Sequence, residues 1–303
     1  RHLSHERTCS QHYWIVRSHR RWIYRSLIHH QQIGVAMTIS DLTASTAGSP
    51  EGFSMPLGAS LYPAPPYEFR RADQSWVAYE ADADAIAALL PPGVEPDSDP
   101  AVCEAWVCWY PWTTFGPYHE AYIMVRVIVD GVRYWYQPVI FTDSEVPLAA
   151  GREIWGFAKK LAVMQWDWGG AARGGTRNEQ LLFTAERPAG QRIMTYTFAP
   201  ERPFDPAERE GLPVLSFRHL PPSEDGAAPA ASELVRLDVA GHLYHAADGT
   251  PEFWTGRGSV SFDARSAIDP WHLFTPVRTL GAYWTTADFS LSLGTVVKDY
   301  LAR

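Results

Sequence analysis

Apolar and polar residues alternate with a period of two along much of the chain, the spacing that turns one face of a β-strand to a core and the other away from it. Ala101 to Tyr110 is one such run, with Val102, Glu104, Trp106 and Cys108 on one face, so a carboxylate is set into an apolar row. Glu120 to Val129 and Val132 to Thr142 form two more, joined by Asp130-Gly131. These turn residues accept the positive φ of a type I′ turn and predict a hairpin. Tyr134, Tyr136, Pro138 and Ile140 are expected on one face of its second strand. Further strands are expected at Trp76 to Tyr79, Leu161 to Trp168, Gln180 to Glu186, Gln191 to Ala199, Val214 to Leu220, Glu233 to Ala240, Gly258 to Asp263 and Ala287 to Leu293.

Helical spacing is scarce. Asp82 to Leu90 predicts a short helix capped by Asp82 or Asp84 and stopped by Pro91-Pro92-Gly93. A second is expected after Asp143 or Ser144, with Pro147 in its first turn, where proline is tolerated, running through Leu148 to Trp155. Many strands with few helices and no strand–helix rhythm point to a mainly β, antiparallel barrel or sandwich. Thr38 to Pro65 is rich in Ser, Thr, Ala, Gly and Pro and is expected to be a leader, residues 37–63, before one domain over 64–303.

Composition narrows the partners. The chain has 303 residues, 46% of them hydrophobic, and a net charge of -8. Residues 1–36 run against that charge, with six arginines against Glu6 and six of the 11 histidines. They are read as a non-native or upstream extension, with Met37 the expected start. An acidic body argues against nucleic acid, and no apolar run reaches the roughly 20 residues of a membrane span. Cys9, Cys103 and Cys108 give no disulfide framework, which fits a cytoplasmic setting. In a strand, Cys103 and Cys108 fall on opposite faces.

Few motifs suggest a cofactor. Gly169 to Gly175 lacks the Lys-Ser/Thr of a phosphate loop and is read as a flexible loop. His242 and His245 have a spacing sometimes used for metals, but in a strand they point apart. No Gly-x-Ser-x-Gly or Cys-x-x-Cys is present. The sequence calls for neither metal nor organic cofactor.

The stretch that stands apart is Gly151-Arg152-Glu153-Ile154-Trp155-Gly156-Phe157-Ala158-Lys159-Lys160-Leu161, two lysines fenced by apolar residues. Taken alone, such a pair often buries its stems and extends its heads to water. An ammonium withdrawn from water is disfavoured relative to the neutral amine, and the amine is a nucleophile suited to Schiff-base chemistry on a carbonyl. Adjacent strand residues project to opposite faces, so Lys160 is expected to act through its own packing or through a carboxylate, leaving burial as the main influence on Lys159.

This stretch resembles the lysine motif of the acetoacetate decarboxylase family, itself a standing example of an activated lysine. The resemblance runs from about Ala64 to Leu301 through Pro66-Tyr67-Glu68-Phe69, Tyr79, Asp82, Asp84, Tyr118-His119-Glu120, Asp143, Glu145, Trp254-Thr255-Gly256, Phe262-Asp263 and Pro270. It implies a closed, cone-like antiparallel β-barrel with the lysine inside, and homo-oligomers. Lys159 would form the imine with Lys160 its neighbour, Glu120 and Glu104 would move protons, and Phe157 and Tyr118 would line the substrate.

Two departures stand out. Ala158 replaces the family's usual proline, and Ala72 falls where the decarboxylases carry an arginine, leaving Arg70 or Arg71 as substitutes if the chain shifts locally. The implied activity is Schiff-base decarboxylation of a small β-keto acid to a ketone and carbon dioxide. The alternatives are an aldolase or dehydratase acting on a 2-oxo acid such as pyruvate, which Ala72 favours, and a barrel that binds small ligands without catalysis.

Overall fold

The computed structural model describes residues 52–56, 58–168 and 180–302. The extension read over residues 1–36, most of the leader and the glycine-rich loop lie outside the described residues. The described residues cluster as one compact unit.

The first strand is far longer than Trp76 to Tyr79. β1 spans Tyr67–Ala81, and α1, Ala83–Ala87, follows it directly. Asp82 caps α1 by accepting from the amides of Asp84 and Ala85. The helix ends well before Pro91 because only Ile86 is buried in it, which leaves little apolar surface to extend it. Next come β2 (Glu95–Pro96), β3 (Ala101–Tyr110), β4 (Trp112–Thr113), β5 (Tyr118–Val129) and β6 (Val132–Thr142). The Asp130-Gly131 hairpin forms as expected, with φ of 49° and 81° at its two turn residues.

After α2 (Glu145–Ala150) the helix widens into a single π turn, Gly151–Trp155. The expected strand over Leu161 to Trp168 divides into β7 (Lys159–Leu161) and β8 (Val163–Asp167). β9 (Leu181–Glu186), β10 (Arg192–Pro203), β11 (Val214–Leu220), β12 (Ala231–Leu237), β13 (Ala240–Leu243), β14 (Phe253–Phe262), β15 (Arg278–Leu291) and β16 (Thr295–Asp299) complete the order.

Among the described residues the sheet runs β16-β12-β11-β6-β5-β3-β1-β15-β14-β10-β9-β8, with the remaining strands attached at its sides. This path is open, since β16 and β8 end it without pairing to each other, so the expected closed barrel is not what the strand order gives. Nor is the sheet wholly antiparallel. β7 and β11 both pair with β6 in parallel, because each follows a long connection that returns the chain in the same sense.

Each central strand faces two apolar cores. Val77, Tyr79, Cys103, Val107, Ile123, Phe141 and Trp271 belong to the first; Tyr67, Phe69, Ala72, Trp76, Trp106, Cys108, Tyr110, Tyr118, Tyr122 and Ile140 belong to the second. The two cysteines thus lie on opposite faces. The face expected for Tyr134, Tyr136, Pro138 and Ile140 is broken. A register shift between Ile123 and Val125 inserts an odd residue, leaving Tyr134 and Tyr136 in the first core and turning Ile140 into the second. No helix among the described residues is long and apolar enough to cross a membrane.

Candidate active site

The motif becomes a site through the turn that delivers it. The π turn ends at Gly156, whose φ of 80° is left-handed, and a Cβ there would overlap the backbone of Arg218. Only glycine fits both demands. The chain then enters β7, where Lys159 lies opposite Ile140 and Lys160 opposite Phe141. Those partners belong to different cores, so the two lysines point to opposite sides of the sheet.

Lys159 enters the second core and is 6% exposed. Its Nζ lies 2.6 Å from Oε1 of Glu120, itself 7% exposed. That oxygen makes no aligned hydrogen bond, so the contact is an ion pair and not a directed one. The Tyr118 and Phe157 rings lie 5.6 and 5.8 Å from Nζ. Gly151 packs on the lysine stem, where a Cβ would come within 2.8 Å of both Cδ and Cε. Arg152 donates to the Lys159 carbonyl at 3.2 Å.

Phenols and a thiol surround the pair. Tyr110 donates to Oε2 of Glu120 at 3.4 Å. Burial pushes the Tyr110, Tyr118 and Tyr122 phenols well above their ordinary range, with nearby Cys108 and Glu120 adding in the same direction. Burial likewise pushes the Cys108 thiol up to about 12. All four groups therefore stay protonated at neutral pH.

A single cross-strand row carries the lysine: Tyr283, Trp76, Trp106, Tyr122, Ile140 and Lys159 are successive partners on β15, β1, β3, β5, β6 and β7. The aromatic members stack in series. Trp76 and Trp106 are 4.2 Å apart and 9° from parallel, Trp106 and Tyr122 are 5.7 Å apart, and Trp76 and Tyr283 are 5.3 Å apart. Stacked aromatic pairs of this kind contribute about 0.5–1.5 kcal/mol each beyond their burial, which stabilises the row that ends in the lysine.

The other expected site residues are placed differently. Glu104 is in the same core and 4% exposed, but its Oε2 accepts from Trp106 Nε1 at 2.9 Å and from Arg209 Nη2 at 2.6 Å. The Arg209 guanidinium lies 4.9 Å from the Trp76 ring centre. Glu104 is thus neutralised by an arginine, apart from the lysine. Lys160 leaves the site for the first core, where its Nζ donates to Asp269 at 3.0 Å and to the Ile268 carbonyl.

Arg70 and Arg71 also miss the interior. A bulge between Phe69 and Ala72, with Arg71 at a φ of 51°, expels both. Arg70 pairs with Glu68 at 2.9 Å, and Arg71 stacks over Tyr244 while its amide donates to Asp288. Ala72 is fully buried in the second core.

Several contributors were not anticipated. Tyr110 had a signal, since it shares the face of Trp106 and Cys108 at a spacing of two. Arg209 had none, because it follows a short turn without periodicity. Tyr62, in the segment read as a leader, is 3% exposed and donates to Glu153 of the π turn. No group of three or more metal-ligating side chains is assembled among the described residues.

Comparison with known proteins places this geometry in context. Residues 54–301 match the family model described as acetoacetate decarboxylase. Acetoacetate decarboxylase 1 of Mesorhizobium japonicum is 31% identical over 84% of this chain and 96% of its own length. The Chromobacterium violaceum acetoacetate decarboxylase is 30% identical over 83% of this chain and 96% of its own. Among solved structures, the acetoacetate decarboxylase of Legionella pneumophila superposes with a TM-score of 0.69 at 29% identity, covering 84% of this chain and 99% of that one.

Proposed function

The chain belongs to the acetoacetate decarboxylase family, and from that premise we propose that it is a carboxy-lyase using Lys159 to form a Schiff base with a small β-keto acid. The observation that carries the reading is a buried lysine 2.6 Å from a buried carboxylate, amid phenols and a thiol that stay neutral.

In the proposed sequence Glu120 takes a proton from the Lys159 ammonium, and the freed amine attacks the ketone carbon. The carbinolamine hydroxyl takes the proton held by Glu120 and leaves as water, giving a protonated imine. The bond to the carboxylate carbon then breaks, carbon dioxide leaves, and the electron pair moves through the forming C=C bond onto the imine nitrogen as an enamine. Glu120, held by Tyr110 and reprotonated from solvent, gives its new proton to the enamine carbon, and water hydrolyses the imine to release the ketone and return the lysine to its starting ammonium form. Tyr118 and Phe157 supply the apolar wall that keeps bulk water from the amine.

Enclosure of the site is part of the same reading. β7 pairs with β6 and, one residue later, β8 pairs with β9, so the covalent chain itself links the two ends of a ring of strands. This supports a barrel closed through the backbone at Ala162. Assembly into homo-oligomers is proposed with it, and light scattering tests that assembly.

A second reading has its own support. With Ala72 in the interior and Arg70 and Arg71 outside, the position next to Tyr110 offers no guanidinium to a substrate carboxylate, which favours an imine-forming aldolase or dehydratase acting on a 2-oxo acid. Incubation with acetoacetate and with pyruvate, each followed by borohydride reduction and peptide mass mapping, separates the cases. Decarboxylation predicts carbon dioxide release and a reduced adduct on Lys159 with acetoacetate. The second reading predicts a Lys159 adduct with pyruvate and no carbon dioxide. An absence of adduct with either would remove the imine.

A further inference from the structure

The motif's two lysines stand back to back, and the chemistry proposed for Lys159 makes no use of the space behind Lys160. That space is a cavity of about 150 Å³ on the first-core side of β6 and β7, walled by Leu89, Phe141, Pro270 and Trp271, with Lys160 and Asp269 at its polar end. Phe141 and Trp271 stack at 4.5 Å and 29°, giving the cavity a flat aromatic side.

Charge around Asp269 is unbalanced. The Asp269 carboxylate is 2% exposed and is held on one oxygen by Lys160 Nζ at 3.0 Å and on the other by Arg187 Nε at 3.2 Å. Two cations therefore face one anion. Lys160 uses donors on Asp269 and the Ile268 carbonyl, and an ammonium has three. Its side chain is 38% exposed and that of Arg187 is 32% exposed, so both are reachable from solvent. A concave apolar slot ending in a few convergent polar groups is the usual form of a small-molecule site. Cavities of about 150 Å³ accept a benzene-sized body.

We infer that this cavity binds a small monocarboxylate with a flat apolar body, its carboxylate on Lys160 and its ring against Phe141 and Trp271, while Arg187 holds the other oxygen of Asp269. The second carboxylate balances the second cation. The occupant lies one residue from Lys159, on the other face of the same three-residue strand.

The test uses benzoate as probe and benzylamine as its cationic counterpart, titrated calorimetrically into the full chain and into three variants. Wild type and Lys159→Ala are expected to bind benzoate with a Kd between about 0.1 and 10 mM, the range open to so few atoms. Lys160→Gln and Leu89→Trp, the latter filling the slot from its far wall, are expected to weaken binding at least tenfold. Benzylamine is expected not to bind. A benzoate soak of wild-type crystals, expected to give density between Lys160 and Trp271, carries the test if Lys160→Gln fails to fold. Loss of benzoate binding in Lys159→Ala with retention in Lys160→Gln would place the anion in the other chamber and overturn the assignment. Preference for benzylamine, or no saturable benzoate binding by wild type, would overturn it as well. None of these outcomes depends on imine formation.

Discussion

Two buried carboxylates share one core, and their partners set them apart. Glu120 faces a lysine and Glu104 an arginine, each at 2.6 Å. A lysine can surrender its proton to the carboxylate beside it, whereas a guanidinium does not deprotonate in proteins. The first pair can pass between an ionic and a neutral form; the second is fixed. Trp106 strengthens that fixity by donating to the same oxygen that Arg209 holds. Identical acids at comparable burial are thereby given different partners, and in the proposed function only Glu120 moves a proton.

The largest expected effect falls on the lysine. Lys159→Arg preserves the positive charge but forms no imine, so kcat should fall by at least about 10⁴-fold and borohydride trapping should disappear. Glu120→Gln removes the proton carrier and should lower kcat by about 10²- to 10⁴-fold; if turnover by this variant matches wild type, the lysine has another proton acceptor. Arg209→Met is expected to invert the pattern, keeping activity within about tenfold. Stranding the Glu104 carboxylate should cost on the order of 3 kcal/mol, a fall in Tm of roughly 6–12 °C for a domain this size.

Smaller effects lie outside that core or in its neutral lining. Lys160→Met should change kcat/KM by less than about threefold, because its nitrogen lies on the far face of β7. Cys108, with its thiol pushed up to about 12, should resist iodoacetamide at pH 8 in the native protein, since the thiolate is the reactive form. Rapid alkylation of the peptide carrying Cys108 would mean that the lining is wetter than its burial indicates.

Local chemistry made some of this readable in the sequence. Asp130-Gly131 specifies its own turn, and the alternation in Ala101 to Tyr110 assigns Glu104, Trp106 and Cys108 to one face without reference to the rest of the chain. The resemblance at Gly151 to Leu161 then singled out Lys159, and that at Tyr118-His119-Glu120 singled out Glu120. What escaped depends on distant partners. The bulge that expels Arg70 and Arg71 arises where β1 shifts register on β15, and the shift that turns Ile140 inward is set between β5 and β6. Parallel pairing of β7 is decided by how the π turn returns the chain, and the role of Arg209 by a contact spanning 105 residues. A period of two assigns faces only while the register holds.

Gly151 has a consequence for anyone redesigning this catalyst. Because the Lys159 stem lies in the hollow left by a missing methyl group, its reach is moulded by the main chain. Adding a single carbon there would push the amine off Glu120 without altering either side chain. On the proposed reading, reactivity is therefore tunable by the smallest possible steric edit, made eight positions upstream of the lysine.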